Sequence, residues 1–299
     1  MAVYESIKNT EQRSKTLSFY MPQYQPPEGI FGAATLGFAG KSSEEAMEAY
    51  TYKIQPQGIM INGTYEECLS GIPYGNYQAA IVLCGNAGNE NTFLARLQDK
   101  VQCPIVGGGA AMDGARGGLI AGGGQASILL IEDEAYEVQT SVKNIHDQVL
   151  GSCKVSFDNP RVIRAIDGQD PMVWLQKQKA ELGIDAADFE HFTLSDKMGV
   201  NAHLSLSGQS VVSGRDLESE MLFRYVRKED VYQSVYDFYN DDENTIVFGC
   251  AGLKGITGEI SKVRSLGLYL YGEICTVENQ AVFGNLMLSK LKLVKKGQV

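Results

Sequence analysis

The stretch that decides how this chain folds runs Gly107-Gly108-Gly109-Ala110-Ala111-Met112-Asp113-Gly114-Ala115-Arg116-Gly117-Gly118-Leu119-Ile120-Ala121-Gly122-Gly123-Gly124, and half of it is glycine. Glycine loses more backbone freedom on folding than any other residue, so glycines kept at this density serve geometry. Either the chain turns where only a positive φ fits, or another backbone or a ligand comes very close. Before the stretch, Pro104-Ile105-Val106 reads as a short buried strand, and after it Ala126 to Ile131 reads as another. Further upstream, Ala79 to Cys84 is an apolar strand followed by a loop of glycine and asparagine. Asn91 then caps a helix that places Leu94, Leu97 and Val101 on one face. Strand, loop, helix and strand together make a βαβ unit that leads into the glycines.

The same pattern recurs downstream. Ile246-Val247-Phe248-Gly249-Cys250, a helix and Tyr269-Leu270-Tyr271-Gly272 repeat the spacing of Ile81 to Gly107. A repeated unit implies two similar lobes, with a cleft between them as a natural ligand site. The remaining segments fit around these units. Pro22, Pro26 and Pro27 break up the N-terminal arm, Ile30 to Gly40 reads as a strand, and Ser42 with Glu45 suits a helix to Tyr50. Asn62-Gly63 is a hairpin signal with a return strand from Thr64 to Cys68. Residues 137–166 read as two or three strands, and Asp170 with Pro171 opens a helix that Gly183 closes. Residues 184–200 read as a polar connection, and Ser205 to Ser213 as a strand interrupted at Gly208. The last third predicts a helix over 230–239, a strand over 244–248, a helix over 256–266, and strands over 268–274 and 283–293. The fold class expected is mixed α/β: two similar lobes with mixed, largely buried β-sheets flanked by helices. Residues 1–28 form an arm, and the lobes span 29–150 and 151–299.

At 299 residues, 44% hydrophobic and 21% charged, the composition is that of a globular protein. A formal net charge of -10 provides no basic footprint for nucleic acid. No apolar run approaches a membrane span and the polar N-terminus lacks a signal-peptide core, so no membrane insertion and a cytoplasmic location are expected. The six cysteines form no C-x-x-C pair and read as free thiols packed as small hydrophobes.

Several segments resemble the FIST sensory domains. Gly107 to Asp113 resembles that family's Gly-Gly-Gly-Ala-x-x-Asp segment, and Gly267 to Ile274 its Gly-x-Tyr-x-x-Gly-Glu-Ile motif. Cys250 to Lys254 stands where the family carries a Cys-x-x-Arg type segment, with lysine here for arginine, and Phe283-Gly284-Asn285 where a short Asn-containing motif precedes the last strand. The resemblance spans roughly residues 29–294 and makes the lobes FIST N-like and FIST C-like. It implies a sensory, ligand-binding protein whose ligand is an amino acid or similar small metabolite. A separate signalling protein would receive the signal.

On this reading Gly107, Gly108, Gly109, Asp113 and Arg116 form one wall of a ligand site, and Cys250, Lys254, Tyr271, Glu273 and Asn285 the other. Backbone N–H groups of the glycine loop can cradle an anion, with Arg116 supplying charge. There is no Walker A sequence, and Met112 stands where a dinucleotide fingerprint needs its third glycine. Nothing around His146, His191 or His203 supports a haem ligand. No cofactor and no metal are therefore expected. Two other classes remain open. One is a hydrolase or lyase using Cys250, its thiol activated by Lys254, or using Glu273. The other is a partner-binding protein with no ligand.

Overall fold

The computed structural model describes residues 2–4, 13–14, 19–21, 37–38, 58–85, 89–110, 125–184, 191–242, 245–250, 252–257, 265–270 and 272–297. The class is mixed α/β, with two mixed sheets and a closed barrel. One sheet has seven strands in the order Gln280–Gly284, Glu273–Val277, Ile105–Ala110, Ala79–Gly85, Gln125–Ile131, Gly58–Thr64 and Arg13–Ser14. The other has five: Gly37–Phe38, Leu266–Leu270, Thr245–Cys250, Met287–Lys295 and Tyr136–Asn144. Each sheet contains one parallel pair, and these are the repeated βαβ units. Ala79–Gly85 runs parallel to Ile105–Ala110 across the helix Glu90–Val101. Thr245–Cys250 runs parallel to Leu266–Leu270 across the short helix Leu253–Thr257. Each sheet takes strands from both sides of residue 150.

Alternation along the strands sets the layers. Val82 and Cys84 pack with Phe93, Leu94 and Leu97 of the helix, while Ile81 and Leu83 point to the other face and are just as buried. That second face meets the five-stranded sheet. Strands Ile105–Ala110 and Glu273–Val277 lie against Thr245–Cys250 and Met287–Lys295. Val231, Val235 and Tyr239 of the helix Lys228–Tyr239 cover the outer face of the five-stranded sheet at Val247 and Leu288. The result is a helix–sheet–sheet–helix sandwich with a buried layer between the sheets.

The barrel is made of six antiparallel strands between Gln148 and Tyr225, in the order Gln148–Asn159, Val162–Ile166, Ser210–Ser213, Asn201–Ser207, Phe192–Ser195 and Glu220–Tyr225. Its aromatic core stacks Phe192 on Phe223 at 5.4 Å, with Trp174 edge-on to Phe223 at 4.8 Å. Trp174 comes from the helix Pro171–Leu182. Asp170 caps that helix by accepting from the Met172 and Val173 N–H groups, and Gly183 ends it in the left-handed conformation.

The structure differs from the sequence reading at several elements. Asn62-Gly63 is not a hairpin turn: it lies inside one strand, Gly58–Thr64, paired to Ala126 and Ser127. Thr64 then forms a reciprocal capping box with Glu67, and the next residues become the helix Tyr65–Gly71. The cap satisfies two helix-end donors that a return strand would leave to a new partner. Asn91 sits inside its helix, with Asn89 at the N-cap, and its Oδ1 accepts from the Phe283 N–H. The polar connection contains the fully buried strand Phe192–Ser195. Ser205 to Ser213 belongs to a hairpin that turns at Gly208. The helix read over 256–266 begins earlier, at Leu253, and residues 258–264 lie outside the described residues, as does the helix read over 42–50.

The two strands read over 268–274 and 283–293 are each two strands in different sheets. Leu266–Leu270 belongs to the five-stranded sheet and Glu273–Val277 to the seven-stranded one. Gly272, with φ +90°, stands at the change. Gln280–Gly284 and Met287–Lys295 change sheets again through Asn285 and Leu286, where Leu286 has φ +52°.

Candidate functional site: a buried polar belt at the sheet crossings

A strand that leaves its sheet leaves backbone donors and acceptors without ladder partners, and in a buried place other groups must take them. The two crossings lie side by side and are served by the residues that the sequence had singled out. Glu273 is fully buried, and its Oε2 accepts from the Met287 N–H at 3.0 Å. Glu273 pairs with Gly108, so its side chain faces the five-stranded sheet, opposite to Ile274, which packs among the helices. Asn285 donates its backbone N–H to the Asn201 carbonyl at 3.0 Å, and its Oδ1 accepts from the His203 N–H at 3.3 Å. Cys250 ends the strand Thr245–Cys250 against Glu273, with backbone hydrogen bonds from Leu286, Gly252 and Gly272 reaching its sulfur.

The glycines explain how the crossings fit. At Gly107, φ is +142° and a Cβ would stand 1.8 Å from the Val82 carbonyl oxygen. At Gly108 a Cβ would stand 2.3 Å from the Gly272 carbonyl oxygen, which itself accepts from the Gly109 N–H at 3.0 Å. The close approach that the glycines permit is therefore to the backbone of neighbouring strands. Of the other sequence candidates, Asp113, Arg116 and Tyr271 lie outside the described residues. Lys254 lies in the helix Leu253–Thr257 and its side chain is not described. The structure thus brings together Gly107, Gly108, Gly109, Cys250, Glu273 and Asn285.

Burial dominates the electrostatics. It raises the Glu273 carboxyl well above its ordinary range, and the Met287 N–H and Cys250 thiol only partly offset this. Burial thus favours the protonated form of the Glu273 carboxyl. Burial, reinforced by Glu273, pushes the Cys250 thiol up to about 12, against the pull of its three backbone hydrogen bonds. A thiol held protonated in this way is a poor nucleophile.

The belt continues into the barrel through residues that the sequence reading missed. Arg215 and Asp196 form a buried ion pair at 3.0 Å, and Arg215 also donates to the Val200 carbonyl at 2.9 Å. Asn201 and Asn144 exchange amide hydrogen bonds at 2.7 and 2.8 Å, and Asn144 Oδ1 accepts from the His146 N–H. His203 lies beside Asn285, and burial lowers its ring pKa to about 4, so the imidazole is neutral. No spacing marked these residues out, because polar residues in turns and on short strands read as surface.

Three buried atoms of the belt have no hydrogen-bond partner: Glu273 Oε1, His203 Nδ1 and Arg215 Nε. Such groups are uncommon in folded proteins and costly unless something satisfies them. Two cavities are described elsewhere. One, of about 360 Å³, is lined by Gln98, Cys103, Pro104 and Thr276, on the helix side of the sheet. The other, of about 310 Å³, lies on the barrel at Cys153, Asp167 and Met221. No protein-family model matches the chain, and no curated protein matches it. No helix among the described residues is long and apolar enough to cross a membrane.

Proposed function

We propose that the chain is a small-ligand-binding sensory protein whose ligand engages the polar belt between the sheet crossings and the barrel. The observation that carries this reading is the set of three buried polar atoms without partners, on Glu273, His203 and Arg215. Their chemistry favours a small zwitterion or carboxylate. A guanidinium nitrogen donates to a carboxylate, as does a carboxyl in the protonated form that burial favours at Glu273, and the neutral imidazole nitrogen accepts from an amine. An amino acid carries both groups. The resemblance of the glycine-rich segment and the Gly-Glu-Ile segment to FIST domains supports the same class and a sensory role, with the signal passed to a separate protein. The high pKa of Cys250 favours binding over a hydrolase or lyase mechanism that uses this thiol.

A thermal-shift screen against amino acids and organic acids tests the reading. A ligand present at 100 times its dissociation constant adds roughly 2.7 kcal/mol of stability. The expected result is a rise in Tm with one member of these classes, and loss of that rise in Glu273→Ala, which removes the donor. Absence of any shift across both classes, in protein shown to be folded, would overturn the proposal and leave the ligand-free partner-binding reading ahead.

A further inference from the structure

The strand Tyr136–Asn144 is the outer strand of the five-stranded sheet, and among the described residues nothing pairs with its other side. It is nine residues long and keeps an unbroken register with Met287–Lys295 from Asn144 to Tyr136. It contains no proline and no bulge, two of the devices that blunt an edge, and its charges are the pair Glu137 and Lys143. Hydrogen-bond phase shows which backbone groups are free to pair. The Lys296 N–H donates to the Ala135 carbonyl, so Ala135, Glu137, Gln139, Ser141 and Lys143 turn their backbone groups inward. Val138, Thr140 and Val142 therefore turn theirs outward.

The sequence of this edge is self-complementary about Thr140. An antiparallel copy placed with Thr140 opposite Thr140 sets Val138 opposite Val142 in hydrogen-bonded pairs. It sets Glu137 opposite Lys143 in the closer, non-hydrogen-bonded pairs, twice by symmetry. Val142 is 36% exposed and gains cover in this register. We propose that the protein forms a two-fold dimer by antiparallel pairing of Tyr136–Asn144 with the same strand of a second copy. The sheet then continues from one protomer into its partner. The Glu137–Lys143 match is what selects a second copy over an arbitrary strand, since like charges directly opposite are unfavourable. Lys143 also donates to the Ser234 carbonyl, which holds its side chain on the face where the partner's Glu137 arrives.

Sedimentation velocity over a concentration series of the full chain tests this inference. The wild type is expected to sediment as a dimer that dissociates on dilution. Thr140→Pro removes only an outward N–H and leaves the inner ladder intact, so it should give a folded monomer by circular dichroism. Glu137→Lys should raise the dimer dissociation constant about tenfold by placing lysine opposite lysine. Combining it with Lys143→Glu should restore the wild-type value. A monomeric wild type across the series, a dimer that persists in folded Thr140→Pro, or a charge-reversed double variant no tighter than Glu137→Lys would each overturn the proposal.

Discussion

The two βαβ units begin alike and end differently. In both, an apolar strand, a helix and a parallel strand lead to a glycine at the same spacing, Gly107 in one and Gly272 in the other. After Gly107 the strand continues to Ala110 and holds neighbours on both sides. At Gly272 the chain leaves its sheet and enters the opposite one. The reason lies in what occupies the place of the missing Cβ. At Gly107 it is the backbone carbonyl of Val82, within the same sheet. At Gly272 it is the Phe283 ring, the Asn285 amide and the Gly284 carbonyl, which belong to the return crossing. The same local signal therefore serves strand packing in one unit and a change of layer in the other. Glu273 and Asn285 are buried polar groups at the change of layer, where ladder hydrogen bonds are broken.

This contrast can be tested by substitution. Gly107→Ala is predicted to have the largest effect, about 4 kcal/mol or more, because a backbone carbonyl cannot move aside and the φ is unfavourable for alanine. Loss of soluble protein, or a Tm too low to measure, is the expected observation. Gly272→Ala meets its neighbours at 2.5–2.8 Å rather than 1.8 Å, so it should cost less, about 2–3 kcal/mol in denaturant melts. Equal costs at the two positions would break the comparison. Arg215→Ala leaves Asp196 buried without its counter-ion and should cost about 3–5 kcal/mol, mid-way or above in this series.

The pH dependence separates the two regions more finely. A carboxyl with a raised folded pKa holds its proton in the fold and releases it on unfolding. Glu273 therefore contributes stability that is complete below about pH 4.5 and declines as pH rises toward its folded pKa. His203 works in the opposite sense: its folded value of about 4 against 6.5 makes stability rise between those two pH values. Glu273→Gln, which keeps an acceptor for the Met287 N–H, should remove the Glu273 share of the decline of ΔG that sets in above pH 4.5, read as the difference between variant and wild type in urea titrations. An unchanged slope would remove Glu273 as its origin.

The smallest effects compare the helices outside the two sheets. Thr64 caps the helix Tyr65–Gly71 with a side-chain hydrogen bond, whereas Arg227 at the N-cap of Lys228–Tyr239 makes none. Thr64→Ala should cost about 1 kcal/mol, and Arg227→Asp should gain about 0.5–1 kcal/mol, both measured by urea midpoint.

The parallel units, the capped helix at Asp170 and the central strands were legible because each is a local pattern of apolar runs and punctuation. The crossings were not. Leu268 to Ile274 is interrupted only by Gly272-Glu273, and a strand that changes sheets is apolar on both sides of the change. The site was legible in part. Cys250, Glu273 and Asn285 were flagged together, and the fold places them together. Arg215, Asp196, Asn201 and His203 were not flagged, since their burial comes from the docking of barrel against sandwich, and no spacing in the chain encodes that. Asn62-Gly63 shows the converse: a strong turn signal lost to a capping box two residues on and to pairing with a distant strand.

The barrel has a consequence for synthesis. Its strands all lie between Gln148 and Tyr225, whereas the seven-stranded sheet waits for Glu273–Val277 and Gln280–Gly284, and Tyr136–Asn144 waits for Met287–Lys295. On a chain emerging from the ribosome, the barrel has all of its strands while both sheets still have open edges. Protease challenge of stalled nascent chains would show barrel protection preceding sheet protection. The barrel thus matures first, and strands after residue 270 close the layers that strands before residue 145 began.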